Sequence, residues 1–513
     1  MHTSSLGTAS EPTTTAAGGK PYTAKATEIW AWGLGAIACH ALIQTYAQAS
    51  IIFTVGFGLS PVIVSWCMML PRVVDGVMDP IIGHLSDETH TRWGRRKPYL
   101  VAGSVLGALF LMSVWWANPA WSHQAQFSYL LVTGTLFYIA YGAYTMAWTA
   151  VGYELTDDYN ERSKVAAIGG LFLAVVTLGS QWVYWLALQP VFHSEIIGMR
   201  WISAFAAVVI VACALIATLS CKERFTRVNR THEAMLPALK TTLKNRPFVI
   251  LILFKICQTL GERAAFGLLL YIAIYHVCGG DKGKATQISG IGGTIGSILG
   301  FVVLPAMKPI TQWMGKRNAQ ITSAAITFGA ALVLPFVLNP AHPYWLIFPS
   351  LVAIPISTLN NTLTNAMVPD ICDVDELENG QRREGLFTSV LGFISKLEIS
   401  LCFLLVGYVL SWSGLDTTLT VQPRDVQQKM FWLCVLPNMA FTLTGLFLTI
   451  LFPVTAGSMA DVRRRLDERR LAKAAAGEPT DEVAEQLIQH HPEIVDAVRD
   501  KLPAPPSGPS ALR

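Results

Sequence analysis

Charge is scarce in this chain. Asp, Glu, Lys and Arg make up 14% of its 513 residues, against ~25% in soluble domains, which argues against a water-soluble globular protein. Strict apolar/polar alternation is missing, which argues against a membrane β-barrel. The nine cysteines show no metal-ligand spacing. Most of them (Cys39, Cys67, Cys213, Cys257, Cys402, Cys434) sit in apolar runs and read as small packing residues. No His-rich metal pattern, nucleophile motif or glycine-rich phosphate loop stands out, so nothing supports an integral-membrane enzyme and no cofactor is expected. The first ~25 residues are rich in Ser, Thr, Ala and Gly with no apolar core, unlike a signal peptide. A formal charge of +4 gives no reason to expect nucleic acid as a partner.

Apolar residues, 52% of the chain, fall in blocks of ~18–28, each able to span ~30 Å of hydrocarbon as a helix. About twelve such blocks are centred on residues 40, 72, 107, 138, 175, 208, 262, 296, 328, 355, 398 and 440. The expected fold is therefore all-α and polytopic, with the lipid bilayer as solvent. Positive residues cluster in alternate connections: Arg92, Arg95, Arg96 and Lys97 after the second span, Lys222 to Arg246 after the sixth, and Lys316, Arg317, Arg382 and Arg383 further on. Only Arg200, Lys282, Lys284, Arg424 and Lys429 fall on the other side, which predicts both termini in the cytoplasm.

The long basic connection divides the chain. The expected parts are a flexible tail (1–27), a six-span half (28–221), a cytoplasmic linker (222–246), a second six-span half (247–454) and a cytoplasmic tail (455–513). Arg92-Trp-Gly-Arg-Arg-Lys97 after the second span echoes Trp313-Met-Gly-Lys-Arg-Asn318 after the eighth. Repeated halves with a midplane site between them are a transporter plan. In the tail, 458–476 reads as a charged helix, and 480–490 and 493–502 as two short amphipathic ones. His490-His491 reads as a solvated pair.

The most informative segment is Leu70-Pro-Arg-Val-Val-Asp-Gly-Val-Met-Asp-Pro80, which sets two carboxylates inside a span. A charge at that depth costs ~2.5–3.5 kcal/mol on insertion scales and marks an ion pathway or a buried pair. Asp75 and Asp79, one turn apart, share a helix face, and Arg72 lies one turn before Asp75. Two carboxylates so close repel at low dielectric, and a bound Na⁺ or a shared proton relieves them. A structural pairing of Arg72 with Asp75 is the bland alternative. Other charges in spans are Lys396, too central to snorkel easily, Glu398, which points elsewhere, and the adjacent Glu262 and Arg263. The last two diverge by ~100° and must each meet another helix or a ligand. Ser357, Asn361, Thr364 and Asn365 form a polar stripe suited to lining a cavity, and Gly292, Gly296 and Gly300 suit close helix contact.

These residues resemble the glycoside–pentoside–hexuronide:cation symporters of the major facilitator superfamily, typified by melibiose permease. The shared pattern is Asp75-Gly-Val-Met-Asp79-Pro80, then Ser86-Asp87 and Thr91-Arg92-Trp93-Gly94-Arg95. Glu154-Leu-Thr-Asp-Asp158 with Glu161-Arg162, and Asp373-Val-Asp-Glu376 with Arg382-Arg-Glu-Gly-Leu-Phe387, complete it over about 28–454. The resemblance implies secondary active symport of a sugar or glycoside with Na⁺ or H⁺, by alternating access, in a bacterial inner membrane, with a monomer as the default. It assigns the coupling cation to Asp75 and Asp79 and places Lys396 beside cation and solute.

The chain also departs from that pattern. Where the family's galactoside binders carry acids on the first and fourth spans and an Arg on the fifth, Cys39, Thr145 and Gly170 stand here. The Thr145 hydroxyl is then the remaining candidate cation ligand on the fourth span, and His40 and Gln44 on the first could bond a solute instead. Tyr144 and Trp148 share a face on which Trp148 could stack against a sugar ring, with helix packing as the alternative. The expected solute set is His40, Gln44, Tyr144, Trp148, Glu262, Arg263, Asn361, Asn365 and Lys396. Ion pairs among Arg72, Asp87, Arg92, Arg95, Arg96, Glu154, Asp158, Asp370 and Asp373 are expected to close the cytoplasmic side. Rival readings are a cation-coupled transporter of a lysolipid or other amphipath, and a membrane solute sensor acting through the tail.

Overall fold

A computed structural model describes residues 24–156, 159–223, 242–380 and 382–475. Among these there is no β-strand, only helices joined by short connections. Hydrocarbon offers no partner for free backbone N–H and C=O groups, so a spanning segment must satisfy them internally. The first half comprises α1 (Ala26–Ala47), α2 (Pro61–Glu88), α3 (Lys97–Val114), α4 (His123–Glu154), α5 (Tyr159–Ser180) and α6 (Glu195–Ser220). The second begins with α7 (Arg246–Ile272). The continuous run Lys282–Val337 is two helices, α8 and α9, meeting at Gly315, where φ is 78°. Then come α10 (Ile347–Asn379), α11 (Glu384–Ser413), α12 (Arg424–Ile450) and, beyond the spans, α13 (Ala456–Ala475).

Ten described helices are long and apolar enough to cross a membrane, the merged α8–α9 run counting as one of them. The remaining span, α7, falls outside that set and carries Lys255, Glu262 and Arg263. The expected twelve-span count therefore holds. Helix starts follow local chemistry: Ser122, Ser194, Asn245 and Asp281 each accept a hydrogen bond from a first-turn N–H of α4, α6, α7 and α8. Gly380 and Gly414, both left-handed, terminate α10 and α11.

Lipid tails are as apolar as leucine, so helices associate here by close packing rather than by escape from water. Trp115, Phe137 and Tyr144 are fully buried in the first half. A Cβ on Gly296 would run into the Ser350 carbonyl of α10, and one on Gly407 of α11 into Ser65 of α2. The second contact joins the halves. Other joining contacts gather at the same end: Tyr271 donates to the Ser50 carbonyl (3.0 Å), Thr417 to that of Gly58 (3.3 Å), Trp182 Nε1 to Thr294 (2.9 Å), and Lys282 pairs with Glu195 (2.8 Å). The bundle is thus closed at the end whose connections carry few positive charges. At the other end α13 lies on α10, through Arg463 to Asp370 (3.1 Å) and Arg470 to Glu376 (3.0 Å). The expected helices at 480–490 and 493–502, and His490-His491, lie outside the described residues.

Candidate functional site

The mid-helix charges of α2 and α11 meet across the two halves. Lys396 Nζ lies 2.7 Å from Asp75 Oδ2 and 2.5 Å from Asp79 Oδ2. Asp75 is 1% exposed, and its Oδ1 has no hydrogen-bond partner. Arg72 Nη1 stands 3.8 Å from Asp75 Oδ2, with its guanidinium over the Tyr138 ring at 5.4 Å. Two cations thus balance two anions. The arrangement is electroneutral yet leaves carboxylate oxygens facing Gly142 of α4, where a Cβ would lie 3.1 Å from Asp75 Oδ1 and 3.6 Å from Asp79 Oδ1. A hard cation prefers such an all-oxygen set, and a proton needs only one of the oxygens. The donor set fits either.

Thr145 is not bonded to these carboxylates. Its hydroxyl donates to the Tyr141 carbonyl (2.8 Å) and faces Cys39 Sγ (3.6 Å) on α1. Tyr144 also departs from expectation, because it is wholly buried and its hydroxyl donates to the Gly35 carbonyl (2.9 Å). Trp148 stacks on Trp32 at 4.7 Å, and the two indoles exchange hydrogen bonds with each other's backbone (3.0 and 3.1 Å). Both rings of the expected sugar face therefore clamp α4 to α1. His40 meets Trp148 edge-on at 6.4 Å, and Gln44 lies half-buried one turn further along α1.

The second half holds a polar network of its own. Asn360 of α10 accepts from Gln320 (3.1 Å) and Ser323 (2.5 Å) of α9, and donates to Gln258 (3.0 Å) and Glu262 (3.1 Å) of α7. Thr327 adds a bond to Glu262 (3.2 Å). As expected, Glu262 and Arg263 diverge. Glu262 turns into this network, whereas Arg263 is exposed along a pocket between the helices, near Asn361. Asn361 and Asn365 are exposed on the polar face of α10, outside the network. Glu398 meets Lys255 of α7 at 2.6 Å, with Ser395 at 2.9 Å from the same ammonium.

Sequence reasoning missed Asn360, Gln258, Gln320 and Lys255. Their signal was available as polar residues at helical spacing in apolar spans: Gln258 with Glu262, and Gln320, Ser323 and Thr327. Glu223 was missed too. Its carboxylate accepts from the N–H groups of Arg95 (2.6 Å), Arg96 (2.9 Å) and Lys97 (2.9 Å), an anion at the start of α3.

Several of the expected ion pairs form, each within one half or between the second half and α13. Glu154 pairs with Arg95 (2.9 Å) and Arg96 (3.0 Å), and Arg96 with Asp87 (3.3 Å). Asp370 pairs with Lys316 (2.7 Å) and Arg463, and Asp373 with Arg382 (3.6 Å) and Arg463 (3.8 Å). Helix ends of one half are neighbours, whereas the contacts given between halves lie at the far end or mid-helix at Lys396, so these charges bind locally. Arg92 is exposed, and Asp158 lies outside the described residues.

Two six-helix halves with a charged midplane site between them define a secondary transporter of the major facilitator type. The chain belongs to the MFS/sugar transport protein family, whose model matches residues 31–456, and within it to the glycoside–pentoside–hexuronide:cation symporters. It is 26% identical over 461 residues to the putative glycoside/cation symporter YagG of Escherichia coli, covering 87% of this chain and 95% of that one. It is 25% identical over 397 residues to the isoprimeverose transporter of Lactiplantibacillus pentosus, covering 75% and 80%. Among solved structures, a point mutant of the nucleoside transporter NupG superposes with a TM-score of 0.61 at 14% identity, covering 83% of this chain and 99% of that one.

Proposed function

We propose that this chain carries a sugar or glycoside across the bacterial inner membrane together with Na⁺ or H⁺, as a monomer with both termini in the cytoplasm. One observation carries the reading: the Lys396 ammonium spans Asp75 and Asp79. An ammonium held by two carboxylates is a tethered stand-in for a mobile cation. Because Lys396 belongs to one half and the aspartates to the other, this ion bridge also holds the halves together at the midplane. A coupling cation that takes the carboxylates frees Lys396 and loosens that hold, so cation loading and rocking are linked. The relatives named for glycoside and isoprimeverose transport support a sugar as cargo. With the positive connections inside, the closed end faces outward and the site opens to the cytoplasm.

The test is gradient-driven uptake into proteoliposomes. Asp79→Asn should abolish uphill accumulation of a glycoside under an imposed Na⁺ or proton gradient, while the protein still inserts. Normal accumulation in that variant would sink the assignment.

A further inference from the structure

Three of the polar groups expected to meet a solute in the first half are already engaged. The Tyr144 hydroxyl, the Trp148 indole N–H and the Thr145 hydroxyl all donate to backbone carbonyls. The second half differs. The amides of Gln258 and Gln320 are 4% and 0% exposed, and each uses one end on Asn360. Their other ends, Gln258 Nε2 and Gln320 Oε1, have no hydrogen-bond partner, and both residues line the pocket that Arg263 and Asn361 also border. Asn360 fixes which end of each amide is free, because its own oxygen takes Gln320 and Ser323 while its nitrogen gives to Gln258 and Glu262. The result is one buried, unpaired donor and one buried, unpaired acceptor on two residues that line the same pocket. A hydroxyl, which accepts and donates at once, satisfies both.

We propose that a ring hydroxyl of the solute is read in the second half, between Gln258 and Gln320, with Asn360 and Glu262 as the frame that holds them. This deepens the transport reading and rests on it. A buried amide end left unpaired is costly, so a site of this kind rejects a solute lacking the hydroxyl far more sharply than one lacking a methylene. Arg263, exposed and without a described ion pair, lies at the same pocket and suits a carboxylate-bearing ring.

The experiment is a deoxy scan. Uptake of methyl β-D-xyloside, methyl β-D-glucoside and methyl β-D-glucuronide, and of each one's single-deoxy analogues, is measured in proteoliposomes of the full chain. Wild type should show at least a tenfold rise in KM for one deoxy analogue. Gln258→Glu keeps an oxygen for Asn360 and replaces the free donor with a carboxyl oxygen, at the cost of an added acid near Glu262 that Gln320→Met does not introduce; it should raise the KM of the parent solute about tenfold and erase that discrimination. Gln320→Met should do the same, and both should keep wild-type cation dependence. Discrimination that survives in Gln258→Glu, or that vanishes instead in His40→Ala or Gln44→Ala, overturns the assignment while leaving symport intact. If wild type accumulates none of the probes, the transport reading fails and this inference falls with it.

Discussion

Lys396 carries one charge to two carboxylates, and the space around them is set by a residue with no side chain. Gly142 lets the α4 backbone lie against Asp75 and Asp79. Gly142→Ala should therefore crowd the carboxylate oxygens while preserving helix propensity. The expected outcome is a tenfold or greater rise in the cation concentration that half-saturates uptake, with expression and solute specificity kept. An unchanged cation requirement would show that the coupling ion sits elsewhere. At this scale the aspartates were legible because a carboxylate in an apolar run has few bland explanations. Tyr144 and Trp148 were not, since an aromatic on a helix looks the same whether it faces a sugar or a neighbouring helix.

Among the elements, α11 serves both halves. Lys396 reaches α2, and Glu398, two residues on and so on another face, reaches Lys255 of α7. The Lys255–Glu398 pair is 10% and 2% exposed, a regime in which removing one partner costs ~3–5 kcal/mol because the other charge is left bare. Lys255→Met should lower the thermal midpoint of the detergent-purified protein markedly, and adding Glu398→Leu should recover most of the loss. A double variant no more stable than the single would argue that the pair does more than balance charge. The sequence placed Glu398 on a face away from Lys396 but offered no way to choose its partner, because interhelical pairing depends on register between distant segments. The charges expected at a gate show the same limit: their identities were readable, whereas their pairing follows from which helix ends are neighbours.

For the whole molecule, the span count, the two halves and the family were legible from composition, charge asymmetry and the motif order around Asp75 and Asp79. The Asn360 network was not, for it gathers single polar residues from α7, α9 and α10 that are far apart in the chain. The closed end depends on contacts of the same kind, such as Lys282 with Glu195. One coupling is proposed to drive transport: cation at the α2 carboxylates, solute between the halves, and Lys396 as the tether that the cation releases. The most direct test is solute affinity as a function of the cation. Ligand-induced thermal stabilisation by the glycoside and uronide probes would be measured in Na⁺ and in choline across pH, on wild type and Asp79→Asn. Stabilisation that strengthens with Na⁺ or with protons in wild type and loses that dependence in Asp79→Asn is the expected result. Stabilisation equally cation-dependent in both proteins would contradict the account.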